Sequence, residues 1–161
     1  MFVERLEKLT VAFVCSRYGF FTNPSFCLAR LKGGPYDASS CAYNIDADAE
    51  VAGGDGVLAV RYLLGLRGAA LTDGAVGPNP GRSNAEIETY LADLLAQGKL
   101  DADGDGQSLA MTDGLLILRA MLGLTGDALT AGAVNTAHPN ARNAQQILTW
   151  IESTHGVACL P

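Results

Sequence analysis

Over the C-terminal three quarters of the chain, apolar residues recur with the period of a helix, and no stretch alternates convincingly with period two. Ile87, Tyr90, Leu91, Leu94 and Leu95 fall at i, i+3, i+4, i+7 and i+8, which predicts one apolar face on a helix over about 84–97 with Asn84 as its N-cap. The stripe returns as Ile147, Trp150 and Ile151 behind Asn143, predicting a second such helix over 143–153. Ahead of each lies a segment that is apolar nearly all round, at about 56–65 and 114–123, interrupted only by Arg61 and Arg119. Such segments are expected as central, buried helices. Gly65 and Gly123 stand at their ends, where a helix C-terminus favours a residue tolerant of left-handed geometry. The expected fold class is all-α.

The resemblance between these segments is an internal repeat. Residues 55–76 recur 58 positions later as 113–134, pairing Arg61 with Arg119, Gly65 with Gly123, Gly68 with Gly126 and Leu71 with Leu129. A two-residue insertion then shifts the offset to 60, where Arg82, Ile87, Tyr90 and Leu91 meet Arg142, Ile147, Trp150 and Ile151. Each copy has the same order: acidic loop, apolar helix, Gly-rich turn, amphipathic helix. Residues 41–161 therefore read as a duplicated helical domain with repeats of about 41–99 and 100–161, and residues 1–40 as an irregular N-terminal extension. Residues 1–14 suit a short helix or strand. The segment 19–40 is rich in Gly, Pro, Asn, Phe and Tyr, with Phe20, Phe21 and Phe26 expected to pack on the body.

Charge changes the picture at two places. Of 17 acids, eight (Asp46, Asp48, Glu50, Asp55, Asp101, Asp103, Asp105, Asp113) lie in two short windows, and the nine left over face eleven bases. The formal charge of -6 is thus local rather than a general acidic coat. Clustered carboxylates repel one another unless a cation or hydrogen bonds compensate. No basic stripe exists to replace phosphate counterions, so nucleic acid is not an expected partner.

The second window is the more specific. Asp101, Asp103 and Asp105 alternate ahead of Gly106, so their oxygens can converge on one hard cation while the glycine permits a sharp turn. The Gln107 carbonyl takes the seventh position, and Asp113, opening the next helix, closes the shell. With helices on either side, residues 84–123 resemble an EF-hand, and the paired loops, each followed by a Leu-rich helix with an Arg, are similar to the dockerin-type calcium repeats of bacterial extracellular proteins. The resemblance implies bound Ca²⁺ and a docking or structural role in an exported protein. This chain departs from that pattern in three respects: the closing acid stands at position 13, with Thr112 at 12; the loops lie 55 residues apart, counted from Asp46 to Asp101; and Ala110 and Met111 occupy the positions of a dockerin's partner-reading hydroxyls. The first window places Asp46, Asp48 and Glu50 at positions one, three and five, with Val51 in place of the turn glycine and Asp55 closing three residues early. On that register it is a shortened loop, with Gly53 and Gly54 restoring flexibility.

Four cysteines without a Cys-x-x-Cys pair point to disulfides in an oxidising compartment rather than to zinc or redox motifs. Loop one has no helix before it, so in a pseudo-two-fold pair the last helix must take that place. Shifted by the repeat offsets, Cys41 maps to residue 96 and Cys159 to residue 99, which predicts a Cys41–Cys159 disulfide and leaves Cys15 and Cys27 to pair or remain free. The first eight residues carry acids where a signal peptide needs positive charge, and the apolar stretch 9–15 is short. An extracellular or periplasmic location then implies the C-terminal portion of a longer exported protein, or a start lying elsewhere. No apolar run is long enough to span a membrane. His155 and Cys159 supply two zinc ligands, too few for a site. No acid, base and nucleophile set is evident, so a non-catalytic module is expected, its partners being calcium and either a protein receptor or a fused upstream domain.

Overall fold

The computed structural model describes residues 38–51 and 53–161, all within the second of two compact units, Asp37–Pro161. The expectations for Cys15, Cys27, Phe20, Phe21, Phe26 and most of the N-terminal extension lie outside the described residues. Six α-helices follow a 3₁₀ turn at Ala38–Ser40: α1 (Gly53–Leu63), α2 (Ala69–Thr72), α3 (Asn84–Ala96), α4 (Leu115–Met121), α5 (Gly126–Thr130) and α6 (Ala144–His155). A π-helical turn, Ala110–Gly114, runs directly into α4, and a second 3₁₀ turn covers Val157–Cys159. Among the described residues there is no strand, as the apolar periodicity predicts.

The helices α1 and α4 form the central pair. Each places a glycine against the other's backbone. A Cβ on Gly56 would lie 2.9 Å from the Leu118 Cα, and one on Gly114 would lie 3.2 Å from the Val60 Cα. Gly56 and Gly114 are 58 residues apart, as are Val60 and Leu118, so these are the same contact made in both directions. That reciprocity is the signature of an isologous, pseudo-two-fold interface. Around it lie Leu58, Ala59, Leu116 and Ile117 from the central pair, with Ile87, Leu91, Ile147 and Ile151 from the amphipathic helices, all fully buried. Leu94 completes the α3 face, whereas Leu95, expected on it, is 39% exposed because the stripe drifts off the buried side near the helix end.

Matching ends and tethers build the two halves. Gly65 and Gly123 have φ of 85° and 78°. Paired hydrogen bonds close both helices, Gly65 N to Tyr62 O with Leu66 N to Arg61 O, and Gly123 N to Ala120 O with Leu124 N to Arg119 O. This is the Schellman arrangement that a C-terminal glycine allows. Arg61 donates to the Leu71 and Asp73 carbonyls at 3.0 and 2.8 Å, and Arg119 to those of Leu129 and Ala131 at 2.9 Å each. These arginines thus tie each central helix to the short helix after it. The cap of α3 is Ser83 rather than Asn84, and it forms a capping box with Glu86. Asn143 and Gln146 form the equivalent box on α6. Serine and asparagine cap equally well, so propensity alone did not choose between neighbouring residues.

The expected Cys41–Cys159 disulfide is present, with its Cα atoms 5.0 Å apart. Beside it, His155 stacks on Tyr43 with ring centroids 4.1 Å apart, while Trp150 meets it edge-on. The Tyr43 hydroxyl donates to the Lys99 carbonyl, so the His155 Nε2 at 3.1 Å must be the protonated nitrogen that donates to that hydroxyl. Burial pushes the His155 pKa down to about 4, aided by the Lys99 charge, and keeps the ring neutral. The bridge leaves Cys159 no thiol for zinc.

Gly56→Ala adds a methyl to a good helix position yet drives it into the Leu118 backbone. The expected outcome is a loss of about 1–3 kcal/mol in denaturant unfolding, despite the gain in helix propensity. Gly114→Ala, with its looser approach, loses less.

Candidate metal centre

Loop two runs from the end of α3 to the π turn. Asp101, Asp103 and Asp105 each bring one carboxylate oxygen within 4.8 Å of the others, and this is the one such group among the described residues. The local chain holds them there. Asp101 accepts from the Gly104 and Gly106 amides, Asp103 from those of Asp105 and Asn135, and Asp105 from the Gln107 amide and the Asn135 side chain. Alternating acids whose carboxylates bond amides two to five residues on curl the chain into a ring of turns. The glycines at 104 and 106 have φ of 79° and 87°, which that curl requires. The Asn135 amide, with the Gln107 backbone, holds the Asp105 carboxyl below its usual range.

Asp113 lies fully buried and outside this group of three. Its two oxygens accept from the Asp103 amide at 3.1 Å and from the Leu109 amide and Thr112 hydroxyl, each at 2.8 Å. Burial raises its pKa even so, because desolvation outweighs these bonds. The acid therefore spans the loop from entry to exit. Its displaced position, thirteenth where twelfth is usual, is absorbed by the π turn, in which the Gly114 amide reaches back five residues to the Leu109 carbonyl at 3.1 Å. Gln107 is exposed and contributes its amide to Asp105.

Loop one repeats this hydrogen-bond plan in a register different from the expected one. Arg82 donates to the Asn44 and Ile45 carbonyls, as Arg142 does to those of Asp101 and Ala102. The Arg82 amide meets the Asp46 carbonyl as the Arg142 amide meets that of Asp103. Asp46 accepts from the Asp48 and Gly77 amides, matching Asp103 with Asp105 and Asn135. Glu50 N donates to Asp48, as Gln107 N does to Asp105. The buried Asp55 accepts from the Ile45 and Asp46 amides, in the role of Asp113. Asp46 is therefore the counterpart of Asp103 and not of Asp101, and the counterpart of Asp101 is Asn44.

This removes the apparent shortening. Counted from Asn44, Asp46, Asp48 and Glu50 stand at positions three, five and seven and Asp55 at twelve, while Ala49, not Val51, replaces the turn glycine. Ala47 takes the place of Gly104 and accepts its left-handed geometry, with φ 57°. Asn44 was missed because a search that counts acids passes over an amide, although an amide oxygen is an equally suitable ligand for a hard cation. Its Nδ2 donates to the Asp48 carbonyl, and its Oδ1, on a residue 5% exposed, is one of two buried side-chain polar atoms without a hydrogen-bond partner among the described residues. Glu50 is exposed. Where Asn135 shields Asp105 in repeat two, Gly77 leaves room for the Asp48 carboxylate, which any side chain there would strike.

Each loop is also clamped from behind by an arginine on an aromatic ring, Arg82 over Tyr90 at 3.8 Å and Arg142 over Trp150 at 4.6 Å. The rings are half-buried, their outer faces covered by the guanidinium, so the matched apolar positions 90 and 150 pack and clamp together. The repeat offset had paired these four residues without revealing that role. No family model, curated protein or solved structure matches this chain.

Asp113→Asn replaces an acceptor-only group by one that cannot satisfy the Leu109 amide, the Thr112 hydroxyl and the Asp103 amide together. Denaturant unfolding in EDTA should show a loss of about 1–3 kcal/mol even without metal, since the acid holds the loop itself.

Proposed function

We propose that this chain is a calcium-binding, non-catalytic module in which Ca²⁺ fixes the two loops and thereby the ends of the central helices. The observation that carries this reading is the convergence of the Asp101, Asp103 and Asp105 oxygens in a curled loop. Three carboxylates so close repel one another, and a hard divalent cation with all-oxygen preference relieves that repulsion. The Gln107 carbonyl and Asp113 complete the oxygen set in loop two. In loop one the set is Asn44, Asp46, Asp48, the Glu50 carbonyl and Asp55, with the unpartnered Asn44 oxygen standing where Asp101 stands in the other loop. Magnesium suits these loops poorly, because it demands tight octahedral geometry and gives up its waters reluctantly.

The paired loops, the central helices with their arginines and the pseudo-two-fold support the resemblance to dockerin-type repeats, and with it a structural or docking role in an exported protein. The Cys41–Cys159 disulfide is consistent with an oxidising compartment, extracellular or periplasmic. No described helix is long and apolar enough to cross a membrane. A receptor-binding role is favoured by the exposed apolar side chains at the ends of the central pair, Leu64, Leu109, Met111 and Leu122, which are 48–68% exposed.

Thermal unfolding tests the central claim. Millimolar Ca²⁺ should raise the Tm above that in EDTA, and Mg²⁺ should do so much less. A ligand at about 100 times its Kd contributes about 2.7 kcal/mol. Asp101→Ala with Asp103→Ala should remove more of this response than Asp46→Ala with Asp48→Ala. An identical Tm in Ca²⁺ and in EDTA defeats the reading.

A further inference from the structure

The two loops differ in how the chain enters them. Loop two follows α3 on continuous backbone: the Lys99 amide bonds the Leu94 carbonyl, and the Asp101 amide bonds the Gly98 carbonyl at 3.3 Å. In loop one the corresponding bond is Asn44 N to Cys41 O at 3.1 Å, so Cys41 stands where Gly98 stands. Only the 3₁₀ turn Ala38–Ser40 precedes Cys41 among the described residues. The helix that fills that place is α6, which arrives from the far end of the chain. Its hold on the loop entrance consists of the Ala42 amide bonded to the His155 carbonyl at 2.7 Å, the stacked rings of Tyr43 and His155, and the disulfide to Cys159, 118 residues away. Beside it Gly156, with φ 109°, lets the chain pass against the Ser40 carbonyl. The bridge therefore does for loop one what the peptide chain does for loop two.

We propose that loop one binds calcium at full strength only when Cys41 and Cys159 are joined, whereas loop two binds equally well whether or not they are. This rests on the reading of both loops as calcium sites. Asn44 lies three residues from the bridged Cys41, and its buried Oδ1 lacks a hydrogen-bond partner among the described residues, so the first ligand of loop one is positioned through the bridge. Without the bridge, only non-covalent contacts order residues 41–44, and binding must first meet the entropy of ordering them. Both cysteines are at most 4% exposed, so the bond is a maturation step and not a rapid toggle. In that step the two thiols give up two protons and two electrons by thiol–disulfide exchange. The oxidant is a disulfide-bearing partner, whose own bond breaks and which leaves as a dithiol. The chain thus holds its loop-one cation more weakly before oxidation than after it.

The test is calcium titration calorimetry on the full chain, with Cys41→Ser and Cys159→Ser introduced together and Cys15 and Cys27 kept. Asp101→Ala with Asp103→Ala isolates loop one, and Asp46→Ala with Asp48→Ala isolates loop two. If the unbridged entrance is ordered about a tenth of the time, the loop-one Kd rises about tenfold on losing the bridge. The loop-two Kd should stay within about twofold, because its entrance is carried on continuous backbone from α3. An unchanged loop-one Kd, or equal weakening of both loops, overturns the proposal while leaving the calcium reading intact. A wild-type chain that takes up no calcium defeats both. If the serine variants do not fold, the reciprocal measurement decides. In the Asp101→Ala, Asp103→Ala chain, calcium must shift the Cys41–Cys159 thiol–disulfide equilibrium toward the oxidised form by the same factor, and an equilibrium indifferent to calcium overturns the proposal.

Discussion

Everything in this domain is arranged about one close approach, the crossing of α1 and α4 through Gly56 and Gly114. A Cβ on Gly56 would lie 2.9 Å from the backbone it packs against, so the two helix axes are as near as glycine permits. Beside it the apolar side chains Leu58, Ala59, Leu116 and Ile117 are fully buried. The crossing also places the acid that spans each loop. Asp55 immediately precedes Gly56, and Asp113 immediately precedes Gly114, so the acid that spans each loop is pinned by the contact of its neighbour. Packing at the centre and oxygen geometry at the periphery are in this way one constraint.

The loops are ordered from within before any cation is considered. Carboxylate oxygens of Asp46, Asp48, Asp101, Asp103 and Asp105 are engaged by backbone amides, and Arg82 and Arg142 draw in the carbonyls behind them. A chain held this way presents oxygen ligands already gathered, which lowers the ordering cost that a cation must overcome. The loops differ in finish. Loop two has glycine at both left-handed positions, three converging carboxylates and a π turn to seat its closing acid. Loop one has an alanine in left-handed geometry, an amide in place of the first carboxylate and a spacing of twelve.

Much of this was legible in the sequence because duplication leaves a fixed offset, and an offset survives even where residue identity does not. The Cys41–Cys159 pairing follows from it, while the all-α class and the central helices ending at Gly65 and Gly123 follow from apolar periodicity. What escaped has physical causes. The register of loop one was misread because carboxylates were counted and Asn44 was not, although its backbone holds the place of Asp101 against the clamping arginine. The position of Asp113 looked anomalous because an inserted residue can hide in a π turn, which no side-chain pattern marks. Ser83 lost the cap to Asn84 in the reading since both residue types cap well. The carbonyls that the arginines at 61 and 119 bind have no signature in sequence.

The placement of α6 ahead of loop one has a consequence for topology. In space the domain is a closed ring of two equal arcs, each running from a loop through a central helix to an amphipathic helix that leads into the next loop. One junction is a peptide backbone at residues 97–100, and the other is a sulfur–sulfur bond with its neighbouring contacts. Neither arc is complete by itself, since each depends on the other for the helix that enters its loop. A single arc expressed alone would meet this need by pairing with a copy of itself through the same glycine crossing. The present chain carries both arcs on one polypeptide, and the cysteine bond closes the seam that the backbone leaves open.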